Sequence, residues 1–113
     1  MMDRLSMIAA FSNANGVSGF EDEVLKVARS YASDNLDIRE DSLRNLYMYR
    51  KGHSGNRPVV QLDAHSDEVG FMVHSIRPNG TLKFITMGGW VNSNIPAHRV
   101  RGQTRGGDYT PGG

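Results

Sequence analysis

At Asn35 the apolar pattern of the chain changes its period, and that change limits the possible folds more than any other feature. Before it, Leu5, Ile8, Ala9 and Ser12 are spaced as one side of a helix, and Asn15-Gly16 follows as a turn would. Residues 18–35, "SGFEDEVLKVARSYASDN", predict a second helix. Ser18 and Glu21 have the spacing of a capping box, acids crowd the first turn, and Val24, Val27, Ala28 and Tyr31 line one side. After Asn35 the period becomes two. "LDIRED" alternates, "NLYMYR" is rich in strand formers, and "RPVVQLDA" carries Val59, Val60 and Leu62 in a short apolar run, so three strands are expected there. "HSGN" at 53–56 reads as a loop or a hairpin turn. "RPNG" at 77–80, between "VGFMVHSI" and "TLKFITM", is the strongest hairpin signal in the chain. Helices leading into a sheet make the fold class α/β.

From Gly88 the character shifts again. "GGWVNSNIPAHRVRGQTRGGDYTPGG" holds seven of the 13 glycines and two of the 4 prolines, shows little periodicity, and predicts no closing element. Trp90, Ile95 and Val100 are nevertheless residues that a packed β-module buries, which argues against a flexible linker. A length of 113 residues is one domain's worth, and the expectation is a chain that stops before its domain is finished.

Charge and composition exclude more than they select. Thirteen Lys and Arg stand against 12 Asp and Glu, with neither sign gathered into a block, so no nucleic-acid or membrane partner is expected. The N-terminal apolar run is too short and interrupted for a signal peptide or a membrane span, and a cytoplasmic protein is expected. Without cysteine, any metal would have to be held by His, Asp and Glu.

One stretch concentrates such groups. In "QLDAHSDEVGFMV", Gln61–Val73, the expected strand ends at His65, where open α/β sheets gather their binding residues. In the H-x-D unit a strand-like period puts His65 and Asp67 on one side, so that the histidine could ligate a metal while the aspartate holds its tautomer. Glu68 would add negative potential nearby, and Gly70 would allow a close backbone approach. Spacing alone leaves the alternative open that His65 is a hydrogen-bonded surface residue and Asp63 a strand-end acceptor. His53, His74 and His98 read as solvated side chains, and the "SGFE" turn as helix capping and nothing else.

The string "AHSDEVGFMV", preceded by "VVQLD" and followed by "RPNGTLKFITMGGW", resembles the N-terminal part of the tetrahedral aminopeptidase family. These are the glutamyl or deblocking aminopeptidases, some of which have carried a cellulase label. "GVSGFEDEV" at 16–24 and "DSLRNLYMYRKG" at 41–52 extend the resemblance from the first helix to about Arg105. It implies that His65 is a ligand of one of two cocatalytic divalent metals, zinc or cobalt, and that Asp67 orients it. It implies a homo-oligomeric hydrolase that removes N-terminal residues from peptides. Residues 1–68 would open the α/β catalytic domain, a zinc-peptidase-like sheet domain. Residues 69–113 would begin a β-rich inserted dimerisation domain, left incomplete.

The family's bridging aspartate, its further acidic ligands, its second histidine and its general base belong to sequence beyond residue 113. The isolated chain is therefore expected to lack activity and to hold no metal tightly. A second expectation, from a different class, is a non-catalytic assembly or interaction module derived from the same fold. Two departures stand out: Ser66 occupies a place usually taken by Met, and Arg44 one usually taken by Gly. The second is the more serious, because a positive φ there would strain any residue except Gly or Asn.

Overall fold

The computed structural model describes residues 3–52, 54–56, 58–96 and 98–112. They divide into two compact units, Met1–Glu68 and Val69–Gly113.

The first unit opens with helix α1 (Arg4–Asn13), started by Asp3, whose carboxylate accepts the Leu5 amide at 3.1 Å. The half-buried positions of α1 are Met7 and Ala10, followed by Ala14 at its C-cap, while Leu5 and Ile8 are exposed. The expected helix forms, but the side it turns inward is displaced from the one that Leu5 and Ile8 suggest. Helix α2 (Asp22–Tyr31) packs on it, with the Phe11 and Tyr31 rings 6.5 Å apart. Along α2, Val24, Val27, Ala28 and Tyr31 are half-buried as their spacing implies. Leu25, 5% exposed, is the buried hydrophobic residue among those described. Strands β1 (Leu36–Glu40) and β2 (Leu46–Arg50) pair as an antiparallel hairpin with Ile38 opposite Met48.

The third expected strand is absent. Residues 58–67 belong to no strand, and Val59, Val60 and Leu62 are 71%, 85% and 95% exposed. The reason is that a strand exists only through its partners: a continuous apolar run belongs in a sheet interior, between two neighbours, and nothing among the described residues pairs with this one. At its end, Glu68 forms a parallel bridge with Val17.

In the second unit, β3 (Gly70–Ile76) and β4 (Leu82–Met87) form the hairpin expected around "RPNG". Its register slips between Val73 and Ser75, which leaves His74 as the extra residue of a bulge and exposed to solvent. Phe71, Phe84 and Trp90 cluster over one side of the hairpin. Phe71 lies 4.5 Å from Phe84 and 4.7 Å from Trp90, and the Trp90 indole N–H donates to the Gly70 carbonyl at 2.9 Å.

The tail corrects a second expectation. After a single turn of 3₁₀ helix at Asn92–Asn94, β5 (Val100–Gln103) and β6 (Tyr109–Gly112) pair antiparallel, so the glycine-rich stretch ends in a regular hairpin. Ile95 and Trp90 are half-buried, whereas Val100 is exposed.

The three hairpins share one turn. In each, the amide of the first residue bonds to the carbonyl of the fifth, and the amide of the fourth to the carbonyl of the first. The sets are Asp41 with Arg44 and Asn45, Arg77 with Gly80 and Thr81, and Thr104 with Gly107 and Asp108. The fourth residue takes positive φ: 71° at Arg44, 83° at Gly80 and 93° at Gly107. This is a type I turn followed by a left-handed residue, which matches the twist of the flanking strands. Arg44 therefore does occupy the conformation that the sequence reading treated as an obstacle.

Candidate metal-ligand site

The sequence pattern places the H-x-D unit at the end of a sheet strand. In the structure it is held instead by the loop between α1 and α2. Residues 15–18 run beside 66–68 and are joined to them by hydrogen bonds in both directions. The Glu68 amide donates to the Gly16 carbonyl at 2.7 Å, and the Gly16 amide donates back to the Glu68 carboxylate at 3.1 Å. Gly16 is buried because nothing larger fits. A β-carbon there would stand 2.6 Å from a Val24 methyl and 3.1 Å from the Ser66 carbonyl. Two donors of Asn15, its amide and its carboxamide, reach the Glu23 carboxylate at 3.0 and 2.9 Å and tie the loop to α2.

Within this clamp the two singled-out residues meet. His65 Nδ1 is 3.1 Å from Asp67 Oδ1 and 3.0 Å from the Asp67 carbonyl oxygen. The other carboxylate oxygen, Oδ2, accepts the Ser18 hydroxyl at 2.5 Å. That hydroxyl, and after it the Asp67 backbone amide and His65, hold the Asp67 carboxyl below the usual aspartate range. The carboxylate is thus ionised at ordinary pH and can only accept. Both partners of Nδ1 are acceptors, so Nδ1 carries a proton, and in the neutral ring the lone pair sits on Nε2. The His65 side chain is 86% exposed, which leaves Nε2 open to solvent.

An imidazole with Nδ1–H held by a carboxylate and Nε2 free is the arrangement found behind metal-ligating histidines, and the donor set fits one ligand position. Among the described residues, no group of three or more His, Asp or Glu lies close enough to hold an ion by itself. The remaining expectations divide. Glu68 is turned onto the loop and serves as a clamp. Gly70 opens β3 in the second unit. Asp63 is exposed. His74 and His98 are exposed, with His98 edge-on to Trp90 at 6.0 Å, and His53 lies outside the described residues.

Ser18 is the residue that sequence reasoning misassigned. There is no capping box: Glu21 is the N-cap and makes no capping bond to the helix, and its carboxylate accepts the Gly19 amide at 2.7 Å instead. The signal against a box was Gly19, which would have been the first helical residue and instead takes a φ of 87°. A glycine at that position marks a bend, and the bend turns the Ser18 hydroxyl away from the helix toward Asp67.

Comparison with known proteins agrees with the resemblance carried by these segments. The M42 glutamyl aminopeptidase family matches over residues 44–112. FrvX of Escherichia coli strain K12, which bears an aminopeptidase name, is 37% identical over 109 residues, covering 96% of this chain and 30% of FrvX. The chain belongs to the M42 family. The glutamyl aminopeptidase of Lactococcus lactis is 29% identical over 111 residues, covering 97% of the chain and 31% of that protein. The lysyl aminopeptidase of Pyrococcus furiosus is 31% identical over 98 residues, with shares of 82% and 27%. The chain therefore spans less than a third of these M42 relatives. Their names give the cellulase label no support. Among the described residues no helix is long and apolar enough to cross a membrane.

Proposed function

We propose that this chain is the opening segment of a cytoplasmic, homo-oligomeric M42 aminopeptidase that hydrolyses N-terminal residues from peptides. Residues 1–68 would belong to its α/β catalytic domain and residues 69–113 to the start of a β-rich inserted domain. One observation carries the reading: in a chain of this family, and among its described residues, His65 is the histidine whose Nδ1 is held by a carboxylate while Nε2 stays open. His65 would supply one ligand of a dinuclear centre, and Asp67 would hold its ring.

The two ions, zinc or cobalt, would supply polarisation of the scissile carbonyl and an activated water. This chain's own part is to present a neutral imidazole. The ionised Asp67 favours Nδ1–H, and the 15–18 loop fixes the backbone on which both residues ride. A structural zinc site takes four ligands and a catalytic one three with a water. One histidine and its carboxylate fall short of either number, so the isolated chain is inactive in this reading.

The test is a pair of assays. The 113-residue chain, supplied with zinc or cobalt, should release nothing from aminoacyl anilides, and robust turnover abolished by His65→Ala would refute its inactivity. A chimera in which this chain replaces the matching residues of the Lactococcus lactis enzyme should cleave such substrates and lose the activity with His65→Ala. A chimera that folds, takes up two zinc ions per chain and cleaves no aminoacyl substrate would overturn the reading in favour of a non-catalytic assembly role.

A further inference from the structure

The contact that the reading above leaves without a purpose is the bond from Ser18 to Asp67. Ser18 lies 49 positions before Asp67, is half-buried, and donates its hydroxyl to Oδ2 at 2.5 Å, while Oδ1 of the same carboxylate faces His65 Nδ1 at 3.1 Å. The three groups form a line: hydroxyl, carboxylate, imidazole. Two features make the line stiff at the Ser18 end. The Val17–Glu68 bridge joins the backbones beside it, and Gly16 and Glu68 exchange two hydrogen bonds, the Glu68 amide to the Gly16 carbonyl at 2.7 Å and the Gly16 amide to the Glu68 carboxylate at 3.1 Å. A carboxylate on a single Cβ–Cγ bond otherwise turns freely, because that torsion is broad. Without an anchor on Oδ2, the carboxylate oxygen offered to His65 would be one orientation among many, and the Asp67 carbonyl at 3.0 Å would be left as the steady acceptor for Nδ1.

We propose that Ser18 is a positioning residue for His65: its hydroxyl locks the Asp67 carboxylate, the locked carboxylate selects the Nδ1–H tautomer, and the Nε2 lone pair is thereby kept available for a metal. The tautomer selection stands on the geometry alone, whereas its purpose rests on the reading of His65 as a ligand.

The experiment separates the two on the 113-residue chain. Long-range ¹H–¹⁵N correlation spectra at a pH where the imidazole is neutral report the tautomer ratio of His65, with a short histidine peptide as reference. The unsubstituted chain should show Nδ1–H in excess of the peptide. Ser18→Val should lower the Nδ1–H to Nε2–H ratio by about threefold, the scale of one lost hydrogen bond, while Ser18→Thr, which has the same volume but keeps a hydroxyl, should restore it. Asp67→Asn should lower the ratio as Ser18→Val does. A structural role for Ser18 would show as lost α2 helicity in the Val variant. If the Val variant unfolds, the tautomer ratio of the folded Thr variant decides: retained excess supports the proposal and a reference-like ratio overturns it. Equal ratios in the Val, Thr and unsubstituted chains would also overturn it, and would leave the ligand reading intact. That reading is tested separately by titrating zinc alone. Shifts at His65 Nε2 ahead of His74 and His98 uphold it, and the reverse order sinks it whatever Ser18 does.

Discussion

Arg44 stands where the two other hairpins of this chain have glycine, and it holds φ at 71° in the same turn. Left-handed backbone costs a side-chain-bearing residue about 1 kcal/mol. Something local has to offset that. The Arg44 guanidinium reaches the Glu40 carboxylate at 2.7 Å and also pairs with Asp22, while Arg29 pairs with Glu40 from the other side. Pairs this exposed contribute about 0–1 kcal/mol, so they compensate the turn and do little more. The two effects can be separated by substitution. Arg44→Ala keeps the strain and loses the ion pairs, whereas Arg44→Gly loses both. The glycine variant should therefore exceed the alanine variant in hairpin stability by about 1 kcal/mol and lie near the unsubstituted chain. Amide exchange at Ile38 and Met48 measures this, and equal protection in the two variants would show that the turn carries no strain. At this scale the contact between His65 and Asp67, two positions apart, was legible because it follows from local geometry. It missed Ser18, because a partner 49 positions away leaves no periodic trace and a nearer explanation, the capping box, was at hand.

At the scale of elements, what was legible followed from local chemistry. Helix α2 announced itself through acids at its start and an apolar side. The β3–β4 hairpin did so through Pro78 and Gly80, which suit the second and fourth positions of its turn. The β5–β6 hairpin carries the same five-residue turn, with Gly107 in the left-handed place. It was hidden because the glycines around it suggested irregularity. The expected strand at 57–64 was the opposite error: its apolar run is real, but strand formation belongs to neighbours as much as to the run. The β1–β2 hairpin adds a pH dependence that belongs to its turn. The Asp41 carboxylate accepts the Leu43 and Asn45 amides, the Asn45 side chain and the Tyr47 hydroxyl. The Asn45 side chain first, and then these other donors, depress the Asp41 carboxyl. The bond to Asp41 raises the Tyr47 hydroxyl. Asp41 therefore stabilises the folded turn fully above the ordinary aspartate value of about 3.9, and loses that contribution as pH falls through the lowered value. Tyr47 contributes fully below about pH 10 and loses its part as pH rises through the raised value. Cross-strand contacts between Ile38 and Met48, followed by NMR, should weaken on both sides of that window. Asp41→Asn should remove the acid limb, and an unchanged acid limb in that variant would assign it to another carboxyl.

For the molecule as a whole, surface is the quantity that decides. The chain exposes 9827 Å², whereas a close-packed protein of 12.5 kDa exposes about 6,200 Å², and two separately close-packed units of these lengths would still expose only about 7,400 Å². Much of the excess is apolar: Val59, Val60, Leu62, Ile76 and Leu43 are each more than 70% exposed. In the longer aminopeptidase proposed for this chain, further sequence would cover these side chains. Val60 and Leu62 test the idea most directly, since they are 85% and 95% exposed. Replacing both with lysine removes apolar surface without opening a cavity, so folding stability should change by no more than about 0.5 kcal/mol per site. An apolar dye such as ANS should bind the unsubstituted chain and bind the double variant less, and any concentration-dependent association seen by sedimentation should fall with it. In the chimera, by contrast, the same pair of substitutions should be strongly destabilising, because there the run would be covered and two lysines would be buried without partners. Unimpaired folding of the substituted chimera would show that residues 59–62 face solvent there too, and would end the idea that further sequence covers them.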